Sequence, residues 1–355
     1  MVETGQPRRL IYDLDLAELS SVMESLGQPA YRAGQVWQGL YRHFWRSPDE
    51  FTNLPASLRE RLSGTFQFTG LTPLQTLQST DGDTLKTLFA LQDGRAIEAV
   101  RMLYDERRTL CISTQAGCAM GCVFCATGQM GFKRNLSSGE MVEQVIYYAR
   151  ILGEQGEKVT NIVLMGMGEP FHNYGAVMAA IRRLNSPEGM GLGVRRFTIS
   201  TVGLAPVIRR FADEQSQVNL AISLHAANDA LRTSLLPVNN KYPLAELMDA
   251  CRYYVAKTNR RLSFEWALIQ GVNDRPEDAR ELASLLKGML SHVNVIPLNP
   301  TRKYRGEATT RDRAEGFRNE LARAGIPCTI RMRRGIDIQA GCGQLASQSA
   351  GAPAI

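Results

Sequence analysis

The sequence predicts an α/β protein: a partial six-stranded (βα)6 barrel preceded by a small N-terminal helical accessory domain. Two patterns predict it. From about residue 107, short apolar runs alternate with amphipathic stretches six times, whereas the first 65 or so residues repeat apolar side chains at three- and four-residue intervals. A third observation locates the chemistry: the polar residues that stand out fall at the ends of the apolar runs, where barrel strands present their ligands.

In order, LDLAELSSVMESLG, YRAGQVWQGLYRHF and DEFTNLPASLRERLSG read as short helices, and residues 1–70 as the accessory domain. Basic residues are interleaved there with Tyr31, Trp37, Tyr41 and Trp45, which fits a small helical core and an RNA-binding module equally well. Residues 71–106 read as a β-hairpin extension, TLKTLFAL and AIEAVRMLY joined through Asp93-Gly94. The barrel is expected over 107–345, with strands at 107–113, 161–166, 195–201, 218–224, 261–269 and 292–298. Ser137 with Glu140 forms a capping box before the first barrel helix, and Pro276 suits a first helical position. Six units are too few for the eight-fold barrel, hence a partial one. The small, polar residues 346–355 read as a disordered tail.

Composition excludes several classes. The 355 residues are 44% hydrophobic and 21% charged, as in a globular protein. No apolar stretch approaches the ~18 residues of a membrane span, and the N-terminus lacks a signal core, so a cytoplasmic protein with no membrane partner is expected. The net charge of +6 favours polyanionic partners. Arginines crowd between Arg302 and Arg334, which reads either as a solvated helix face or as a phosphate-tracking surface.

Seven cysteines, an odd number, argue against a disulfide framework. Cys251 and Cys328 read as inert core thiols. Cys118, Cys122 and Cys125 follow the first strand at gaps suited to one compact inorganic cluster. A structural zinc needs four ligands, and no second Cys pair or His pair follows. Three thiolates on a [4Fe–4S] cubane leave one iron open to chelate S-adenosylmethionine (SAM). Gly166-Met167-Gly168-Glu169-Pro170, ending the second strand, would contact the SAM amino group, while Ser200, Ser223, His225 and Asn299 end later strands as further hydrogen-bonding groups.

The run CISTQAGCAMGCVFCATGQMGFKRNLSSGEMVEQV, with MGMGEP, FTISTVGL, SLHAAND, IPLNP and AGCGQLA, closely resembles the radical SAM adenine methyltransferases of large-subunit ribosomal RNA, over nearly the whole chain. The resemblance is nearest to the RlmN type, which methylates C2 of an adenosine in that RNA and of one in tRNA; a sister Cfr type methylates C8. It implies that Cys118, Cys122 and Cys125 hold the cluster and that Gly168, Glu169, Ser200, Ser223, Leu224, His225 and Asn299 contact SAM. It also implies that Cys342 carries a methyl group taken from a first of two SAM molecules per turnover. A radical made from the second SAM then activates that methyl for addition to the base. Glu98 would accept the ring proton and Cys111 would release the product through a disulfide with Cys342. Electron-poor C2 cannot attack a sulfonium methyl, so a radical route suits it. The implied partners are rRNA, tRNA and a cytosolic electron donor, and a monomer is expected. A radical SAM enzyme acting on a small molecule or protein would leave Cys111 and Cys342 without a role. A non-enzymatic RNA-binding protein would carry zinc instead.

Overall fold

In the computed structural model, residues 8–301, 303–331, 335, 337, 338, 341 and 343–349 are described. The chain begins with α1 (Leu16–Ser25), α2 (Tyr31–Tyr41) and α3 (Ala56–Thr65). A capping box starts α1: Glu18 N donates to Asp15 Oδ1 at 2.8 Å and Asp15 N to Glu18 Oε2 at 2.8 Å. Leu19, Met23, Val36 and Leu40 bury the shared apolar face.

One ten-stranded sheet follows, in which spatial order is sequence order. It runs through β1 (Leu71–Gln78), β2 (Thr84–Leu91), β3 (Ala96–Leu103), β4 (Arg108–Cys111), β5 (Asn161–Leu164), β6 (Phe197–Thr201) and β7 (Asn219–Ser223) to β8 (Leu262–Leu268), β9 (Ser291–Pro297) and β10 (Cys328–Ile330). Pairings from β1 to β4 are antiparallel, and those from β4 to β10 are parallel. The parallel strands alternate with α4 (Ser138–Glu154), α5 (Tyr174–Asn185), α6 (Ala205–Asp213), α7 (Asp229–Leu235), α8 (Leu244–Thr258), α9 (Pro276–Leu286) and α10 (Arg311–Arg323). Parallel neighbours need such crossovers, so alternation and parallel sheet are one fact. Ser137 and Glu140 do form a capping box on α4, with Ser137 N donating to Glu140 Oε2 at 2.8 Å.

Three details depart from the periodicity reading. The hairpin is a three-stranded antiparallel unit, because β1 adds to it with mostly exposed side chains and a bulge between Pro73 and Gln75. An edge strand open to water has no apolar alternation to read. The parallel sheet gains a seventh strand, β10, whose three residues are too short to show a period. Of the tail expected to be disordered from 346, Ala346 is buried beside Leu345 and α11 (Gln344–Ser349) runs to Ser349, while 350–355 lie outside the described residues.

The N-terminal helices are tied to the barrel through polar contacts. Asp13 Oδ1 accepts the Gly139 N–H at 2.7 Å, and Arg183 donates to the Leu14 and Asp13 carbonyls at 3.0 and 2.6 Å. Glu143 on α4 accepts from Gly70 N at 2.7 Å and Leu71 N at 3.2 Å, and burial pushes its carboxyl up to about 8. A carboxyl raised in the fold favours folding while protonated, so its contribution is present below the ordinary value of 4.5 and is lost as pH rises towards 8. In pH-dependent unfolding, Glu143→Gln is therefore expected to flatten a decline on the order of a few kcal/mol across that window. An unchanged slope would assign the decline to other groups.

Candidate cluster and active site

The three thiols sit on the loop between β4 and α4. Its base is closed by Gln115–Ala116 pairing antiparallel with Arg134–Asn135. Gly117 holds φ +72, and a Cβ there would lie 1.9 Å from the Gly131 carbonyl oxygen, so only glycine lets the two arms meet. Cys118 N donates to Gly131 O at 3.2 Å, and Val123 N donates to Leu235 O at 3.1 Å, tying the loop to α7. Burial pushes the Cys118 thiol up to about 12 and Cys122 well above its ordinary range, with the neighbouring cysteines adding to both. Three thiolates in this water-poor cradle need a multivalent cation to exist together. A structural zinc would need a fourth protein ligand beside the three thiolates. A cubane places each thiolate on its own iron corner, and the donor set fits it.

Around this loop the strand ends converge. Gly168 has φ +101 and packs so closely on Gln115 that a Cβ would lie 2.5 Å from the Gln115 side chain. Buried Glu169 then bridges two strand ends: Oε2 accepts Val202 N at 2.8 Å and Oε1 accepts Phe171 N at 2.9 Å. Burial raises its carboxyl to about 7, and it lies within electrostatic reach of Cys118 and Cys122. With the Thr201 side chain as a third partner, the carboxylate keeps one of its roughly four lone-pair sites for an amino group. Ser200 Oγ and Ser223 Oγ stand 3.3 Å apart on adjacent β6 and β7. His225, in a left-handed conformation at φ +61, accepts Ala267 N on Nδ1 at 2.9 Å, so Nε2 carries the proton. Burial and then Arg232 hold its pKa down to about 3, which keeps the ring neutral. That ring meets Phe124 of the cysteine loop edge-on, with centroids 5.0 Å apart. Leu224, by contrast, is fully buried, and its N–H is spent on Glu265 O at 3.1 Å. Exposed Asn299 follows β9, next to Pro300, whose carbonyl accepts Gln344 Nε2 at 2.7 Å.

A second convergence lies on the antiparallel extension. Glu98 on β3 is buried and accepts Gly343 N at 2.9 Å and Ala346 N at 2.6 Å. Lys86 on β2, fully buried, pairs with Glu98 at 2.7 Å and donates to Gly341 O at 2.8 Å. Cys111 ends β4, opposite Val100 of β3, and lies within electrostatic reach of both charges. Burial pushes its thiol up to about 12. Cys342 itself lies outside the described residues, but Gly341 and Gly343, its two neighbours, are gripped by this ion pair.

Sequence reasoning missed two residues. Lys86 had a readable signal, a lone cation within the apolar run TLKTLFAL. Arg232 did not. It is fully buried and donates to Val202 O at 2.6 Å and Asn239 Oδ1 at 2.8 Å, beside Cys122, which only the folded chain reveals.

A partial parallel barrel with three thiols on its first strand-to-helix loop defines a radical SAM enzyme, and residues 112–285 match the radical SAM superfamily. Residues 11–67 match the ribosomal RNA large subunit methyltransferase N-terminal domain. The chain is 49% identical over 352 residues to the probable dual-specificity RNA methyltransferase RlmN of Chloroflexus aurantiacus, covering 96% of this chain and 93% of that one. It is 49% identical to RlmN 1 of Myxococcus xanthus, over 94% of this chain and 93% of the relative. A radical SAM methyltransferase from Sphaerobacter thermophilus superposes with a TM-score of 0.93 at 51% identity, covering 95% and 98% of the two chains. This chain belongs to the RlmN family of dual-specificity RNA methyltransferases, whose cofactors are a [4Fe–4S] cluster and two molecules of SAM per turnover. Among the described residues no helix is long and apolar enough to cross a membrane.

Proposed function

We propose that this enzyme methylates C2 of an adenosine in large-subunit ribosomal RNA and of an adenosine in tRNA, through a methyl group carried on Cys342. The observation that carries this reading is the meeting of Glu98, Cys111 and the segment flanking Cys342 at one place on the sheet. Cys118, Cys122 and Cys125 would hold the cluster. Glu169, Ser200, Ser223, His225 and Asn299 would orient SAM, with Gly168 allowing the close approach. Leu224 would contribute packing alone, since its N–H is already bonded. When bound, cluster and SAM would supply the radical that activates the Cys342 methyl, and the oxidised cluster would take up the odd electron left on the adduct once its proton is lost.

The remaining steps belong to this chain. Both Glu98 oxygens are engaged by Gly343 N, Ala346 N and Lys86, so the Cys342 segment must withdraw before Glu98 takes the proton from C2. Lys86 therefore acts as a positioning residue that holds the carboxylate and the segment together between turnovers. For release, the Cys111 sulfur attacks the Cys342 sulfur and the sulfur–carbon bond breaks. Its electron pair stays with the methylene carbon, which takes a proton and becomes a methyl group. The disulfide is then reduced by thiols of a reducing compartment, which fits a cytoplasmic monomer served by a cytosolic electron donor. The target base must be unpaired or flipped to reach the barrel mouth.

An anaerobic assay with deuterated-methyl SAM and RNA, followed by nucleoside analysis, tests the reading. Label at adenine C2 is expected. Label at C8, for which the named relatives give no support, would overturn it.

A further inference from the structure

At the end of the barrel opposite the cysteine loop, a cavity of about 1060 Å³ opens between the starts of the parallel strands. Its floor carries Thr109, Asn161, Thr198, Asn219 and Ser263, from β4 through β8. Its walls carry Arg107, Arg195, Lys257, Arg260, Arg261 and Arg331. Among the described residues only one of these six cations, Lys257, has a carboxylate within 4.0 Å, namely Asp213 at 3.9 Å. Arg195 Nε donates to the neutral Gln217 Oε1 at 2.9 Å and Arg260 Nη2 to the neutral Asn219 Oδ1 at 2.9 Å. Arg260 Nε is buried without a hydrogen-bond partner. Among the described residues the one carboxyl lining the cavity, Glu265, is buried, accepts Asn294 Nδ2 at 2.8 Å and is pushed towards its neutral form by burial.

The arginines of α10 behave differently. Arg311 pairs with Glu315 at 2.9 Å, Arg313 with Asp274 at 3.4 Å and Arg323 with Glu320 at 2.6 Å. Three of the four arginines of that helix are thus paired with carboxylates and Arg318 contacts the neutral Asn319, whereas Arg331, from the same arginine-rich stretch, lines the cavity. Positive charge in a concave wall of low dielectric focuses its field and draws anions in. Guanidinium forks match paired phosphate oxygens, while the hydroxyls and amides below suit ester oxygens or ribose.

We propose that this cavity is a second binding site, for a phosphate-bearing ligand, on the face of the barrel remote from the cysteine loop. Two sources share that chemistry: a free polyphosphate or nucleotide, and the phosphodiester backbone of an RNA already held by the enzyme. The site stands on geometry and charge alone and does not depend on which adenine carbon is methylated.

The test is calorimetric titration of the intact holoenzyme with inorganic tripolyphosphate and, separately, with a short oligouridylate. Wild type is compared with Arg260→Gln/Arg261→Gln and with Gln217→Glu, which keeps an acceptor for Arg195 but places a carboxylate at the cavity wall. Losing charge-assisted contacts is expected to weaken binding at least about tenfold in the double variant. The same loss seen with tripolyphosphate supports the free-phosphate source. A loss confined to the oligouridylate supports the RNA backbone. Absence of binding by both probes, or binding equal in all three proteins, overturns the site. Should the double variant fail to fold, exposed Gln217→Glu decides alone, because the surface change leaves the core untouched.

Discussion

Replacing Cys111 by alanine is expected to leave the enzyme joined covalently to its RNA. The thioether between Cys342 and the base has no sulfur nucleophile to break it once Cys111 is gone. No ordinary hydrolysis replaces that step, because the bond breaks only when a second sulfur takes the Cys342 sulfur into a disulfide and the methylene carbon leaves with the electron pair. The stalled species is read on a denaturing gel as a ribonuclease-sensitive shift, with turnover lost and the first methylation of Cys342 intact. Cys342→Ala, by contrast, is expected to lose both methylation and the shift. Free turnover by Cys111→Ala would remove the cysteine pair from the reaction and with it the methyl-cysteine route.

The second large effect concerns stability. Lys86 and Glu98 form an ion pair with side-chain exposures of 0% and 2%. Removing one partner of such a pair leaves a buried charge uncompensated, at a cost of about 3–5 kcal/mol. Lys86→Met is therefore expected to lower the unfolding free energy by that order and to release the C-terminal segment. Hydrogen exchange at Gly343 and Ala346 should accelerate, since the carboxylate accepting from both loses its anchor. Adding Glu98→Gln is expected to recover most of the stability, because two neutral groups replace the orphaned charge. The pair is worth this exposure to risk because it sets the resting place of the Cys342 segment. If Lys86→Met were as stable as wild type, with unchanged exchange, the clasp on Gly341 and Gly343 would carry no weight.

Much of the fold was legible because local periodicity and long-range pairing say the same thing in parallel α/β proteins. Buried strands such as VNLAISL stand out as apolar runs, and amphipathic EMVEQVIYYARIL can only be a crossover helix. Where one face of an element is wet, that agreement fails. Strand β1 is mostly exposed and carries Pro73, so LTPLQTLQ gave no sign of joining the sheet. β10 has three residues, and the end of α11 reads as a polar tail because SQS carries no apolar side chain to show a period. The arginine-rich third was equally open to two readings. Pairing distances divide it, since three of the four arginines of α10 have carboxylate partners and Arg331 faces the cavity.

By itself, the sequence determined the ligand chemistry. Three thiols at short gaps on one loop need no distant partner to define a cluster site, because covalent spacing alone keeps them within reach. Tertiary structure alone decided which distant groups face one another. Glu98 lies 245 residues from Gly343 and Lys86 lies 255 from Gly341, and no spacing rule connects them. They meet because an antiparallel extension and the end of the chain return to the same edge of the first parallel strand. There the cost of burying a charge is offset only by pairing it with its opposite. The same holds for Arg232 beside the cysteine loop, whose place depends on helix packing and not on any local pattern.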